Sequence, residues 1–410
     1  MKKLLLVLLI LSLFINHLNA NEKDLQIIQK DKKEYRLLDK ESIQTRQQSQ
    51  KYDWISPIDL SGNIGRNHSF SDENSRNLNN KNTKSASIGF TQSIFESGGI
   101  GFKMDYADNR FKYEMLSWEN QNSQLIYTIY NTLLDIKKLK LEINQNDYRI
   151  VNKDIELIIK KIQYEAGKTD IIELNNAIMS KNLILKEEIA LKNSLKEKEQ
   201  ELAKYTDLKY DEIEILDFQE TNKDIFLDKN YSILEADAKV EMLNSEYKIK
   251  KSQYLPKLSL SAKASYSTQD EKFNSMINDT NKDDATSSGS LILSMPLYDY
   301  TKSSKIQESK IEVLKQKALV NDLKNETAFE YEQIFTKIDT YLKQNETINK
   351  NIKLYEELIG ANKISSEAGM TSKYDLEILE NTKTINEFDI LINNINILQQ
   401  YAKLYFKIKN

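Results

Sequence analysis

The chain has 410 residues, no cysteine, two histidines and a formal net charge of −4. The absence of cysteine excludes a disulfide framework, a thiolate metal site and a lipid anchor on an N-terminal cysteine. The scarcity of histidine argues against a histidine-rich metal centre, and the mild acidity gives no reason to expect nucleic-acid binding. Because no nucleophile–base pair and no metal-ligand cluster stands out, we expect neither an enzyme nor a cofactor.

The N-terminus, residues 1–20, is predicted to be an export signal. Two lysines precede the apolar run 4–15, which is too short to span a bilayer, and we expect cleavage after Ala20. Leu18 departs from the small residue that is usual three positions before the cut, so the cleavage site stays open. An N-terminal membrane anchor is the alternative. Loss of the two lysines changes the net charge to −6.

Short motifs recur about 200 residues apart, which predicts an internal tandem repeat. Three pairs of segments match: 56–61 with 255–260, 93–96 with 296–299, and 165–169 with 367–371. Their offsets are 199, 203 and 202 residues, a drift that is typical of two copies whose loops differ in length. We therefore expect both copies to contain the same elements in the same order.

Each copy is predicted to contain a helix, two strands, a long helix and a return helix, because the hydrophobic period changes from two to about 3.5. The first repeat, 21–205, has predicted strands 57–68 and 84–96, a long helix 97–165 and a return helix 169–205. The second repeat, 229–410, has predicted strands 256–268 and 287–298, a long helix 299–367 and a return helix 371–409. Residues 206–228 are predicted to form the linker between them.

The long helices carry a narrow heptad seam. Apolar positions step by four and three from Ile334 to Ile359, and the same phase is found 202 residues earlier. This spacing predicts coiled-coil packing. Each 69-residue stretch would be about 100 Å long if wholly helical. Asn146 and Asn345 lie in the seam, where they would either set the register or face water.

The turns after the long helices have their own signals. Gly167 and Gly369 are predicted to end the long helices, and Thr169 and Thr371 to cap the return helices. The glycine-rich segment 97–103 is predicted to be a strand-to-helix bend, since it lacks the ending of a phosphate-binding loop.

Four strands are too few to bury a core by themselves. They need a partner that closes the sheet edges, and identical subunits are the simplest partner. A soluble sandwich sheet is the alternative interpretation of the same alternation.

The order of these motifs resembles that of the TolC-like outer-membrane efflux proteins. The matching features are the prolines that open strands (Pro57, Pro256), the aromatic-acidic strand ends (95–96, 298–299) and the small-Gly-x-Thr turns (166–169, 368–371). The resemblance covers nearly the whole chain after the signal. It implies a mainly α fold with a small β part, in which long antiparallel coiled-coil helices accompany four strands per subunit. Those strands would contribute to a trimeric 12-stranded outer-membrane β-barrel.

The resemblance also implies a function. The chain would be the passive exit duct of a tripartite efflux or type I secretion system, located in the cell outer membrane and extending into the periplasm. Its partners would be two further copies in a homotrimer, outer-membrane lipid, a periplasmic adaptor (membrane fusion) protein, and an inner-membrane pump or ABC exporter. The substrate and the particular pump stay open. A periplasmic adaptor and a structural coiled-coil protein are the alternatives, but an adaptor would need one helical hairpin, and a coiled coil would leave the strands unexplained.

Site residues follow from the same resemblance. The turns that would dock the adaptor are Gly167, Lys168, Thr169, Gly369, Met370 and Thr371. Asp375 and Glu173 would form an acidic pore constriction that favours cations; the alternative is a pair of first-turn carboxylates favoured by the helix dipole. The chain departs from the family pattern at Thr371, where a gating arginine is expected, and at Ile378, where a second acid is expected. The closed-state gating network therefore stays open.

Overall fold

The computed structural model describes residues 25–69, 79–214, 216, 218, 220–270, 282–367 and 372–409. In chain order the elements are α1 (Lys30–Tyr52), β1 (Asp59–Ser69), β2 (Asn79–Phe95), α2 (Gly99–Glu165), α3 (Ile171–Leu202), α4 (Lys223–Asp228), α5 (Tyr231–Ser252), β3 (Lys257–Asp270), β4 (Lys282–Ser294), α6 (Lys302–Glu367) and α7 (Lys373–Phe406), with a short 3₁₀ helix at Leu25–Ile27. The expectation of a mainly α fold with a small β part is confirmed. The predicted export signal lies outside the described residues.

Some element ends differ from the predicted positions. Strand β2 begins at Asn79 instead of 84, because pairing with β1 extends it through a polar stretch with no apolar alternation. Strand β4 ends at Ser294, before Pro296, whose missing N–H cannot join the ladder. Helix α2 begins at Gly99, because Ser97 and Gly98 have positive φ angles of 51° and 87°.

The chain divides into two compact units. The sheet unit comprises the described residues of Glu41–Met115 and Glu235–Val320, and the helical unit comprises the described residues of Met1–Lys40, Leu116–Leu234 and Asn321–Asn410. Among the described residues, no helix combines the length and the apolar composition needed to cross a membrane.

The sheet unit contains one antiparallel sheet in the order β1-β2-β3-β4. Leu60 pairs with Ile88 in the first hairpin, and Leu260 pairs with Leu291 in the second, so shifts of 200 and 203 residues superimpose the two hairpins. The two copies of the repeat thus have the same strand register, and they meet in the middle of the sheet at β2 and β3.

In the helical unit, each long helix packs antiparallel to its return helix. An ion pair of 3.3 Å joins Lys198 of α3 to Asp135 of α2, and Asn345 of α6 donates a 3.0 Å hydrogen bond to Asn394 of α7. The two pairs meet where Gln399 of α7 donates to Asp135 of α2 over 2.7 Å. These contacts give the helix order α3-α2-α7-α6 and confirm the antiparallel coiled-coil packing.

The segment predicted as a linker packs into the helical core. Phe226 of α4 is fully buried in a cluster with Ile334, Ile338, Leu404 and Ile408. A second aromatic side chain of this segment packs on Tyr130 and on the end of α7. Burial of large apolar side chains is the main stabilising contribution of such a segment, so residues 206–228 are a structural part of the unit.

Candidate functional site: helix turns and sheet faces

The turn between α2 and α3 has a well-defined backbone geometry. Gly167 has a φ of 68°, its N–H donates to the carbonyl of Tyr164 over 2.9 Å, and the N–H of Lys168 donates to the carbonyl of Gln163 over 2.8 Å. These two bonds define a Schellman motif, which ends an α-helix with a left-handed residue. The prediction that Gly167 ends the long helix is confirmed, and both Gly167 and Lys168 are exposed.

The predicted cap at Thr169 is wrong by one residue. Asp170 is the N-cap of α3, and its carboxylate accepts a 2.9 Å hydrogen bond from the N–H of Glu173. Aspartate is a stronger N-cap than threonine. In the second copy the predicted cap at Thr371 is also wrong by one residue, because Ser372 is the N-cap of α7. Gly369, Met370 and Thr371 lie outside the described residues, so their predicted docking role stays a prediction.

The two predicted constriction carboxylates have different surroundings. Glu173 lies in the first turn of α3 and forms a 3.0 Å ion pair with Lys160 of α2. Asp375 lies in the first turn of α7 and is exposed. Both positions suit an acidic side chain near a helix N-terminus. Glu173 is thus paired with Lys160 of the same helix pair, whereas the side chain of Asp375 is exposed to solvent.

The sheet has one polar and one apolar face. On the polar face, hydroxyl pairs span neighbouring strands: Ser61 with Ser87 at 2.8 Å and Ser265 with Thr286 at 2.7 Å. The opposite face carries exposed apolar side chains, which are Leu60, Ile64, Ile88, Leu260, Tyr266, Leu291 and Leu293. The alternation predicted this division, but the matching of hydroxyls across strands depends on the register and was missed.

The outer strands of the sheet are unpaired on one side. β1 pairs only with β2, and β4 pairs only with β3, within the described part of the chain. Unpaired N–H and C=O groups on such edges are a template for another strand. The sheet therefore has apolar surface and open edges that the described residues of the chain leave uncovered.

The two seam asparagines contact neighbouring helices. Asn146 is 1% exposed, and its side-chain N–H lies 3.4 Å from the carbonyl of Ile184. Asn345 accepts a 2.9 Å hydrogen bond from Asn393 of α7. Both contacts favour the register-setting alternative, since each amide reaches across to the return helix of its own pair.

The glycine-rich segment after β2 forms the predicted bend. The Ser97 hydroxyl donates to the carbonyl of Pro256 over 2.6 Å, and the N–H of Gly99 donates to the carbonyl of Glu96 over 2.9 Å. A side chain at Gly99 would lie 2.8 Å from the Ser252 hydroxyl. The backbone of Gly99 therefore packs closely against Ser252, which leaves no room for a side chain. No cluster of three or more metal-ligating side chains is present in the described part of the chain.

One protein family and several solved structures are similar to this chain in sequence or in fold. Residues 224–385 match the family model described as outer membrane efflux protein. The fold is similar to that of the outer membrane protein VceC of Vibrio cholerae, with a TM-score of 0.71, 12% identity, and coverage of 93% of this chain and 94% of that chain. A search of curated proteins gives no match.

Two further solved structures share the fold. The CmeC outer membrane channel of Campylobacter jejuni has a TM-score of 0.71 at 14% identity, with coverage of 94% of this chain and 83% of that chain. The MtrE outer membrane channel of Neisseria gonorrhoeae, solved in its open state, has a TM-score of 0.67 at 12% identity, with coverage of 91% and 85%. This chain thus shares its fold with these outer membrane proteins. The predicted resemblance to the TolC-like outer-membrane efflux proteins is confirmed.

Proposed function

We propose that this protein is an outer-membrane channel-tunnel, the passive exit duct of a tripartite efflux or type I secretion system. The observation that carries the proposal is the four-stranded sheet with two open edges, a polar face and an exposed apolar face. Three copies of this sheet would close into a 12-stranded barrel with lipid outside and hydroxyls inside. The long helices would continue as a tunnel into the periplasm.

The helix turns would dock a periplasmic adaptor (membrane fusion) protein joined to an inner-membrane pump or ABC exporter. The exposure of Gly167 and Lys168 and their fixed Schellman geometry support this role. Two antiparallel helix pairs support a duct over the adaptor alternative, which would need one pair. A structural coiled-coil protein would have no use for the two-faced sheet.

The test places a lysine on either face of one strand. Leu291 and Ser290 are neighbours on β4 and lie on the apolar and polar faces respectively. Leu291→Lys should cost about 2–4 kcal/mol per subunit near the bilayer midplane, whereas Ser290→Lys should be tolerated in a water-filled lumen. We expect the unchanged chain and Ser290→Lys to form heat-labile trimers in the outer-membrane fraction. A soluble monomer of the unchanged chain, or equal loss of insertion in both variants, would refute the proposal.

The acidic constriction is part of the same proposal. We expect Asp375→Asn to reduce the preference of the open channel for cations, because this carboxylate is exposed. Glu173→Gln should reduce the preference less, because the ion pair with Lys160 already offsets the charge of Glu173. Reversal potentials in a planar bilayer under a salt gradient measure the preference. A larger change in the Glu173 variant than in the Asp375 variant would contradict the assignment.

A further inference from the structure

The polar face of the sheet has a gap at Gly89 of β2. Gly89 lies between Ser87 and Thr91 on that face, and the four residue steps from Ser87 to Thr91 span about 13 Å. The hydroxyl of Ser87 pairs with that of Ser61 at 2.8 Å, and the hydroxyl of Thr91 pairs with that of Ser261 at 3.1 Å. Because Gly89 has no side chain, the two hydroxyl pairs border a bare stretch of backbone.

Opposite charges lie on the two sides of this gap. In the ladder, Gly89 is opposite Asp59 of β1 and opposite Lys263 of β3. Two strand spacings separate the Cα atoms of Asp59 and Lys263 by about 9–10 Å. Both side chains are exposed, and among the described residues neither of them has an ion pair or a side-chain hydrogen bond. An open carboxylate and an open ammonium group therefore flank the glycine.

The gap is a cavity of a size that suits a small molecule. Its volume is about 420 Å³, and its lining includes both charged side chains and both hydroxyl pairs. Small-molecule sites usually measure about 300–1,000 Å³. A Cβ atom at Gly89 would lie 3.0 Å from the carbonyl oxygen of Ala262 and 3.3 Å from the Cβ and Cγ atoms of Lys263. A larger residue would therefore fill the cavity and displace the lysine.

The second copy of the repeat does not reproduce this gap. The shifts of 200 and 203 residues relate the pair Asp59–Gly89 to the pair Ser259–Ile292. Ile292 is 44% exposed and occupies the position of the glycine. The gap and its two charges thus occur once in the chain, and the repeated strand pattern does not account for them.

We propose that this gap binds small zwitterionic solutes of the size of a dipeptide. The inference rests on the proposed duct, in which the polar face lines the lumen, and it adds a class of solute. The ammonium group of the solute lies against Asp59 and its carboxylate lies against Lys263.

The charges and dimensions of the gap favour a zwitterion over a simple ion. A cation or an anion is attracted by one of the two charged side chains and repelled by the other, whereas a zwitterion is attracted by both. An extended dipeptide is about 7 Å long, so it fits between them. Each hydroxyl pair keeps one O–H group that can donate to the middle of the solute.

Binding of glycylglycine to the full-length protein in lipid nanodiscs, measured by saturation-transfer NMR, tests the proposal. Glycylglycine amide and N-acetylglycylglycine share its backbone but carry only the positive and only the negative charge, respectively. We expect glycylglycine to bind at least about twofold more tightly than either of them. Asp59→Asn and Lys263→Gln should each weaken its binding by about twofold to fivefold, the range for exposed charge pairs. Equal binding of the three peptides would overturn the proposal.

Controls separate the gap from the general charge of the lumen and from the duct itself. Asp284→Asn removes another exposed carboxylate of the polar face, outside the gap, and should leave binding unchanged. Asp59→Lys combined with Lys263→Asp should bind glycylglycine more tightly than Asp59→Lys alone, because the solute can bind in the reverse orientation. If the chain forms conducting trimers, equal weakening by Asp284→Asn and Asp59→Asn, or no gain from the exchange, would overturn the inference and leave the duct standing. A monomeric chain would refute both.

Discussion

A buried arginine, Arg36, joins helix α1 to helix α2 through hydrogen bonds. Replacement of this side chain should lower the free energy of unfolding. Arg36 is 9% exposed and donates to the Asn122 side chain over 2.6 Å, the Gln121 side chain over 2.8 Å and the Trp118 carbonyl over 2.9 Å. Burial lowers the pKa of Arg36 and the nearby Asp39 raises it, but a guanidinium remains protonated. The three bonds are therefore charge-assisted.

The expected magnitude follows from what Arg36→Met leaves behind. The side chain of Asn122, 2% exposed, and the Trp118 carbonyl would lose their charged donor. Loss of a hydrogen bond to a charged group costs about 1.5–3 kcal/mol, and breaking a buried charged network costs about 3–5 kcal/mol. The methionine keeps part of the apolar packing, so we expect a loss of about 2–4 kcal/mol in the free energy of unfolding.

Arg46 on the same helix is the matched control. It forms a 2.9 Å ion pair with Glu114, but its side chain is 43% exposed. Exposed pairs contribute about 0.2–1 kcal/mol, so Arg46→Met should have a small effect. Urea unfolding followed by the fluorescence of the buried Trp118, in a Trp54→Phe background, measures both variants. Equal losses in the two variants would refute the argument that burial makes the difference.

Two further predictions concern a turn and an ion pair. Gly167→Ala should lower the free energy of unfolding by about 1 kcal/mol, because Gly167 has a positive φ. Gly360→Ala should raise the free energy of unfolding by about 1 kcal/mol, because Gly360 lies inside α6 with open space around it. Urea midpoints that shift in the same direction for both variants would contradict this. Burial alone would raise the pKa of Glu330, but hydrogen bonds from Lys403 and Lys407 lower it below its ordinary 4.5. The stabilisation by Glu330 is then complete above pH 4.5 and is lost as the pH falls through the lowered pKa. Urea midpoints across pH should therefore show Glu330→Gln less stable than the unchanged chain by about 1 kcal/mol near neutral pH and converging with it in acid; a gap that is constant with pH would contradict the reasoning.

The repeat made most of the fold predictable, because each copy supplied a second instance of the same periodicities. Strand and helix types follow from residue spacing alone. The cap at Asp170 was missed because Thr169 and Asp170 are both good caps, and only the backbone path decides which one has its side chain over the open N–H groups. The packing of Phe226 was missed because a short apolar segment without periodicity has no recognisable partner in sequence.

The strand register could not be predicted from motifs, as the two prolines show. Pro57 and Pro256 are 199 residues apart, whereas the paired residues of β1 and β3 are related by 200. Alignment on the prolines would move every residue of β1 to the opposite face, because side chains alternate with a period of two. The faces of the sheet, and with them the candidate site, depend on the ladder hydrogen bonds.

The order of elements follows the same scheme in both units. In both units a first-copy element meets a second-copy element in the middle, at β2–β3 and α2–α7, and the outer elements are β1 and β4 or α3 and α6. In the proposed trimer the outer elements would meet other copies of the chain, so first-copy and second-copy elements would be neighbours between subunits as well as within one. The central contacts lie within a single chain, so substitutions at the β2–β3 contact should change its folding first and assembly only as a consequence.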